Sequence, residues 1–157
     1  MVENNHYFEE FEVGARYATT SRLVTLDDHL DFCKLVRYEV PMFIDEEAGA
    51  KTEYAGMICP SHLIMSFTTA MTGALFSKSI IGLLAIEGAR FFAPVRPGDT
   101  LRTEVEILNK RLTSDGKKGV VTFRDYVYNQ FDKLVFQNDK IALIKCKSAI
   151  KSDTALN

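Results

Sequence analysis

The sequence predicts an α+β domain in which an antiparallel sheet wraps one buried helix. Three observations predict it. Residues 58–76 carry apolar or small side chains on every side, with Leu63, Phe67, Ala70 and Ala74 in one stripe and Ile64, Met71 and Leu75 beside it. A helix apolar all round is a buried helix. The chain after residue 80 reads as long strands separated by turn signals. Among them Leu101, Thr103, Val105 and Ile107 alternate with Arg102, Glu104 and Glu106, the period-two pattern of a sheet with one wet face.

Composition fits a single domain over residues 1–157, long enough to bury a real core. Hydrophobic content of 46% and charged content of 25% are those of an ordinary globular chain. A net charge of −2 implies no nucleic-acid surface. Cys33, Cys59 and Cys146 are odd in number and widely spaced, so neither a disulfide framework nor a metal site is expected, and a reduced, cytoplasmic setting fits. The polar N-terminus lacks a signal-peptide core. No apolar run is expected to span a membrane, because Ser, Thr and Gly interrupt the central helix and Lys78 follows it.

Taken in order, the aromatic and acidic stretch 7–14 ends at the turn residue Gly14. Residues 16–24 alternate as one strand. Thr25 with Asp28 forms a capping-box-like start, and Leu26, Leu30, Cys33 and Val36 then recur at helical spacing, which turns His29 and Asp31 to water. Residues 37–43 form a loop, since Pro41 disfavours helix before it. Asp45, Glu46 and Glu47 open a short helix with acids where the dipole prefers them. Pro60 suits the first position of the central helix. That start presents unpaired N–H groups and the positive end of the dipole, a ready site for a carbonyl oxygen that turns negative during reaction. An apolar strand occupies residues 80–93, a turn 94–99, and a hairpin turn 114–117. Strands at 120–128 and 134–150 follow, the last interrupted at Asn138-Asp139, and residues 151–157 form a frayed tail. A sheet this short leaves part of the helix uncovered, so a second copy is expected to complete the burial.

Several of these stretches together resemble one family. They are Phe8-Glu9-Glu10-Phe11-Glu12-Val13-Gly14, Val24-Thr25 before a helix, Pro41 followed by Asp45-Glu46-Glu47-Ala48, the segment Arg90-Phe91-Phe92-Ala93-Pro94-Val95-Arg96-Pro97-Gly98-Asp99-Thr100-Leu101, and Tyr128-Asn129-Gln130. The chain resembles the MaoC-like dehydratases, hotdog-fold relatives of the (R)-specific enoyl-CoA hydratases, over residues 7–150. The resemblance implies a hotdog fold, a dimer or higher oligomer, and action on acyl-CoA or acyl-ACP in fatty acid metabolism. The implied reaction is reversible hydration of a 2-enoyl thioester without metal or organic cofactor.

The family's catalytic loop, Gly-Asp-x-Asn-Pro-x-His, aligned on Pro41 reads differently here. Tyr38 stands for the aspartate, Val40 for the asparagine and Phe43 for the histidine. The family's Ala-His-Gly at the helix head reads Cys59-Pro60-Ser61, so the N–H of Ser61 corresponds to the glycine N–H that polarises the thioester carbonyl. His62 is the candidate replacement base. Tyr38 and Glu39 occupy the former catalytic loop, Pro60 and Phe43 are placed against substrate, and Arg90 is the candidate for a carrier phosphate. Cys59 reads as a small apolar filler. Three readings stay open: a hydratase or dehydratase with a rearranged catalytic set, a non-catalytic acyl-binding subunit in a heterodimer with a catalytic hotdog chain, and a hotdog thioesterase or acyl-CoA binding protein.

Overall fold

The structure, a computed structural model, describes residues 5–147. After a single 3-10 turn at Phe8–Glu10 come β1 (Arg16–Ala18), β2 (Arg22–Leu23), α1 (Leu26–Val36), α2 (Pro41–Ile44), α3 (Glu46–Ala50) and α4 (Ser61–Gly73). Four long strands follow: β3 (Ile80–Phe91), β4 (Thr100–Leu112), β5 (Lys118–Tyr128) and β6 (Leu134–Lys145). All pairings are antiparallel, in the order β1-β4-β5-β6-β3, with β2 also on β4. The sheet packs one face against α4, the expected α+β arrangement.

Local chemistry accounts for the helix bounds. Thr25 Oγ1 accepts the Asp28 N–H at 3.0 Å to cap α1, and Asp45 Oδ1 accepts the Ala48 N–H at 2.6 Å to cap α3. Arg37 adopts left-handed φ of 53°, and the Tyr38 N–H returns to Cys33 O at 2.8 Å, closing α1.

Several expectations are corrected. Residues 37–43 are not all loop: Pro41 opens α2, because a helix's first residue needs no N–H partner. Pro60 is the N-cap of α4 rather than its first residue. The strand expected over 16–24 breaks at 19–21, since β1 pairs Ala18 with Glu104 while β2 pairs Arg22 with Leu101. Three residues there oppose two, a bulge that flips the alternation. Asn138-Asp139 do not interrupt β6. Asn138 pairs with Asp125 across the ladder, and the Asp139 carboxylate takes the Arg124 fork at 2.6 and 2.8 Å. The strand ends at Lys145; its expected last residues, 148–150, and the expected tail lie outside the described residues.

The helix α4 is not buried all round within one chain. Leu63, Ile64, Thr68 and Thr72 face the sheet, while His62, Ser66 and Ala70 are exposed, because a single sheet covers one face. Under the helix the core has three layers. One apolar cluster includes Leu63, Ile64, Leu101, Val127 and Phe136, and the other includes Phe76, Val105, Phe123 and Ile144. Between them lies a buried polar layer of Thr68, Thr72, Thr103, Asp125, Asn138 and Lys140. There Lys140 Nζ donates to Asp125 Oδ2 at 2.5 Å, and Thr72 Oγ1 lies 3.1 Å from the same oxygen.

The strand β3 pairs only with β6, so its other edge is open. Ile81, Leu83, Leu84 and Ile86 on it are exposed, as are Phe91 and Phe92 at its end. No helix of the described residues is long and apolar enough to cross a membrane.

Candidate functional site

A cleft of about 400 Å³ opens at the head of α4. Ser61, Cys59, Ile58 and Ile64 form its helix side, Met42 and Phe43 come from α2, and Phe91 to Val95 close it from the end of β3 and the segment after it. Apolar residues predominate, as suits an acyl chain. Pro60 is buried and supplies no side-chain cap to α4. The Ser61 and His62 N–H groups find no acceptor among the described residues, and half-buried Ser61 lines the cleft. A helix start left uncapped beside an apolar cleft is a donor site for an oxygen carrying negative charge.

Directly behind the cleft wall sits His29, fully buried on α1. This overturns the expectation that it faces water. The inward side of α1 is the His29–Cys33 side, while Leu26 and Val36 are half exposed. The imidazole is tolerated there because both nitrogens are partnered. Nε2 contacts Phe43 O, and Nδ1 lies 3.3 Å from Cys59 Sγ. A carbonyl oxygen only accepts, which assigns the ring proton to Nε2 and leaves the Nδ1 lone pair facing the Cys59 thiol. Cys59 is itself held by its N–H to Val95 O at 2.7 Å and by the extended backbone that precedes Pro60. Burial, with smaller contributions from nearby Asp99 and Cys33, pushes its thiol up to about 12. One signal in the sequence pointed to His29: it stands four residues before Cys33, so both occupy one helix face.

The other candidate residues are spread more widely. Phe43 lines the cleft and packs on Tyr38, ring centroids 5.0 Å apart. Tyr38 and Glu39 line a separate depression with Leu30, Lys34 and Ile44. His62 is exposed and absent from the cleft wall. Arg90 is exposed on β3, paired through its backbone with Gln137. Among the described residues, the titratable ones on the cleft wall are Tyr54 and Cys59.

Residues 12–129 match the sequence model of the MaoC like domain. The chain belongs to the MaoC-like family. Among its relatives is the uncharacterized protein YdeM of Bacillus subtilis, 30% identical over 139 residues, which cover 87% of this chain and 97% of that protein. Another is the beta-methylmalyl-CoA dehydratase of Chloroflexus aurantiacus, 26% identical over 89% of this MaoC-like chain but only 40% of that enzyme. A Mycobacterium tuberculosis protein with a double hotdog fold superposes with a TM-score of 0.83 at 20% identity, over 91% of this chain and 45% of that one. The fold of this MaoC-like chain is therefore the hotdog fold.

Proposed function

We propose that this MaoC-like chain binds acyl thioesters of coenzyme A or acyl carrier protein at the head of α4 and acts as a hydratase or dehydratase with an impaired catalytic set. The observation that carries the reading is the uncapped Ser61 N–H on the wall of an apolar cleft. The thioester carbonyl accepts that hydrogen bond, and the acyl chain lies against Ile58, Ile64 and Phe92. The related dehydratase acts, by its name, on a CoA thioester, which supports this substrate class. No metal or organic cofactor enters the proposed reaction, and the proposed setting is the cytoplasm.

Ser61→Pro tests the donor directly. Proline fits a helix's first position and removes the N–H there together with the serine hydroxyl, whose loss alone is reproduced by Ser61→Ala as the control. Pro60 already has φ −58° and ψ 141°, the geometry favoured before a proline. The variant is expected to fold, with an unchanged melting temperature within a few degrees. Turnover of an enoyl-CoA is expected to fall by about 10²–10³-fold, the effect of losing one oxyanion donor. Unchanged turnover and unchanged binding of crotonyl-CoA would remove Ser61 from the site.

A second reading is favoured by the open, apolar edge of β3, which ends in two residues of the cleft wall, Phe91 and Phe92. In it the chain is the acyl-binding half of a two-chain dehydratase, with the acid–base pair supplied across that edge by another hotdog chain. Either partner, a second copy or a catalytic chain, would dock at β3. Leu84→Arg is expected to convert the oligomer to monomer by light scattering and to weaken acyl-CoA binding, because exposed Leu84 lies mid-strand. A variant that keeps the oligomer intact moves the interface elsewhere.

A further inference from the structure

We propose that Cys59 is an acyl-accepting nucleophile, with His29 as its base, so that the chain exchanges acyl groups between carrier thiols. The inference rests on acyl-thioester binding at the Ser61 cleft and adds a covalent step to it. Its structural basis is the juxtaposition of three groups from three segments. Cys59 lines the cleft, His29 Nδ1 lies 3.3 Å from its sulfur, and Phe43 O holds the far nitrogen of the ring. Nucleophile, base and orienting acceptor in that sequence is the arrangement that activates thiols and hydroxyls toward carbonyl carbon. Two residues further on, Ser61 lines the same cleft with its N–H unpartnered among the described residues, and that N–H is the donor assigned to the oxyanion.

The burial of the pair decides the form of the step. His29 is fully buried and both its nitrogens are occupied. It has no direct access to a substrate water, and its basicity reaches the cleft only through the Cys59 sulfur. The resting thiol keeps its proton, since burial holds it up to about 12. Attack and proton transfer therefore occur together, as they do for a serine hydroxyl beside histidine. The Cys59 sulfur bonds to the thioester carbonyl carbon as its proton passes to His29 Nδ1. The carbonyl electron pair moves to the oxygen, opposite the Ser61 N–H. When it returns, the carbon–sulfur bond to coenzyme A breaks, and the leaving sulfur recovers the proton from His29. One thioester replaces another, one thiol is consumed and one released, and no further reactant is needed. The reverse sequence with a different carrier thiol completes the exchange.

The test is acylation of the whole protein by butyryl-CoA, which has no double bond to hydrate, followed by intact mass and peptide mapping. The wild-type chain contains its own control, because Cys33 and Cys146 are also free and buried. The expected result is a single butyryl adduct on Cys59, removed by free coenzyme A, and label exchange between butyryl-CoA and isotopically labelled coenzyme A. His29→Gln retains a donor toward Phe43 O and removes the base, so adduct formation is expected to slow by about 10²–10⁴-fold. His29→Asn serves if the glutamine variant does not fold. Binding of butyryl-CoA to Cys59→Ala, which cannot be acylated at this position, separates the two proposals. Binding without a Cys59 adduct in the wild type overturns the covalent step and leaves the proposed function standing. Absence of binding overturns both. Equal labelling of Cys33 and Cys59, or undiminished labelling in both His29 variants, also rejects the assignment.

Discussion

Lys140→Met is expected to destabilise the chain by about 3–5 kcal/mol, the usual effect of removing one member of a buried ion pair. Lys140 and Asp125 are 1% and 0% exposed at their side chains and meet at 2.5 Å. Removing the ammonium leaves a carboxylate inside the sheet with one hydroxyl, Thr72 Oγ1, for company. Burial already raises the Asp125 carboxyl, opposed chiefly by Lys140; without the lysine it rises further. A carboxyl whose folded value lies above its unfolded value binds its proton more tightly when folded. Its unfavourable contribution therefore grows as pH climbs from the unfolded value to the folded one. The deficit of Lys140→Met is expected to be largest at neutral pH and to shrink toward acid. Denaturant melts across that range check it, and a deficit that widens on acidification would refute the argument. Replacing both partners, Asp125→Leu with Lys140→Met, is expected to recover most of the loss, because no uncompensated charge stays buried.

Crotonyl-CoA is expected to be hydrated about 10²–10⁴-fold more slowly by the purified chain than by MaoC relatives that keep the Asp/His loop, the range that general acid–base catalysis contributes. Among the described residues the cleft wall holds Ser61, the proposed carbonyl donor, but neither histidine nor carboxylate: its titratable groups are Tyr54 and Cys59. An unassisted tyrosine is a poor base at neutral pH, and the buried Cys59 thiol keeps its proton. Loss of enoyl absorbance follows the reaction. An ordinary hydratase rate, abolished by His62→Ala, would refute the impaired set and return His62 to the site. Addition of a hotdog chain bearing the intact loop is expected to restore the rate if the second reading holds.

Much of the fold was legible because burial leaves a pattern. Leu101, Thr103, Val105 and Ile107 alternate in sequence and are all buried in β4. The hairpin at Asp115-Gly116 needs positive φ at Gly116, and has it at 67°. The bulge at residues 19–21 was hidden, because register is set by the partner strand and not by the segment itself. Asn138-Asp139 reads as an interruption of the last strand, yet both neighbours of β6 hold it extended. The same limit applies to the site. The donor at Ser61 could be proposed from a proline and a greasy helix. His29 shares a helix face with Cys33 by spacing, but that spacing does not say which side of α1 meets the head of α4, so its role was not legible.

By itself the sequence determined the α+β class, the central helix, the long antiparallel strands and the uncapped helix start, all consequences of local periodicity and backbone chemistry. Only the tertiary structure decided which side chains meet across the chain. It set a histidine behind Cys59, 30 residues away in sequence, and it joined Asp125 to Lys140 between two apolar layers. Such meetings are fixed by packing, which forces groups distant in sequence to become each other's solvent.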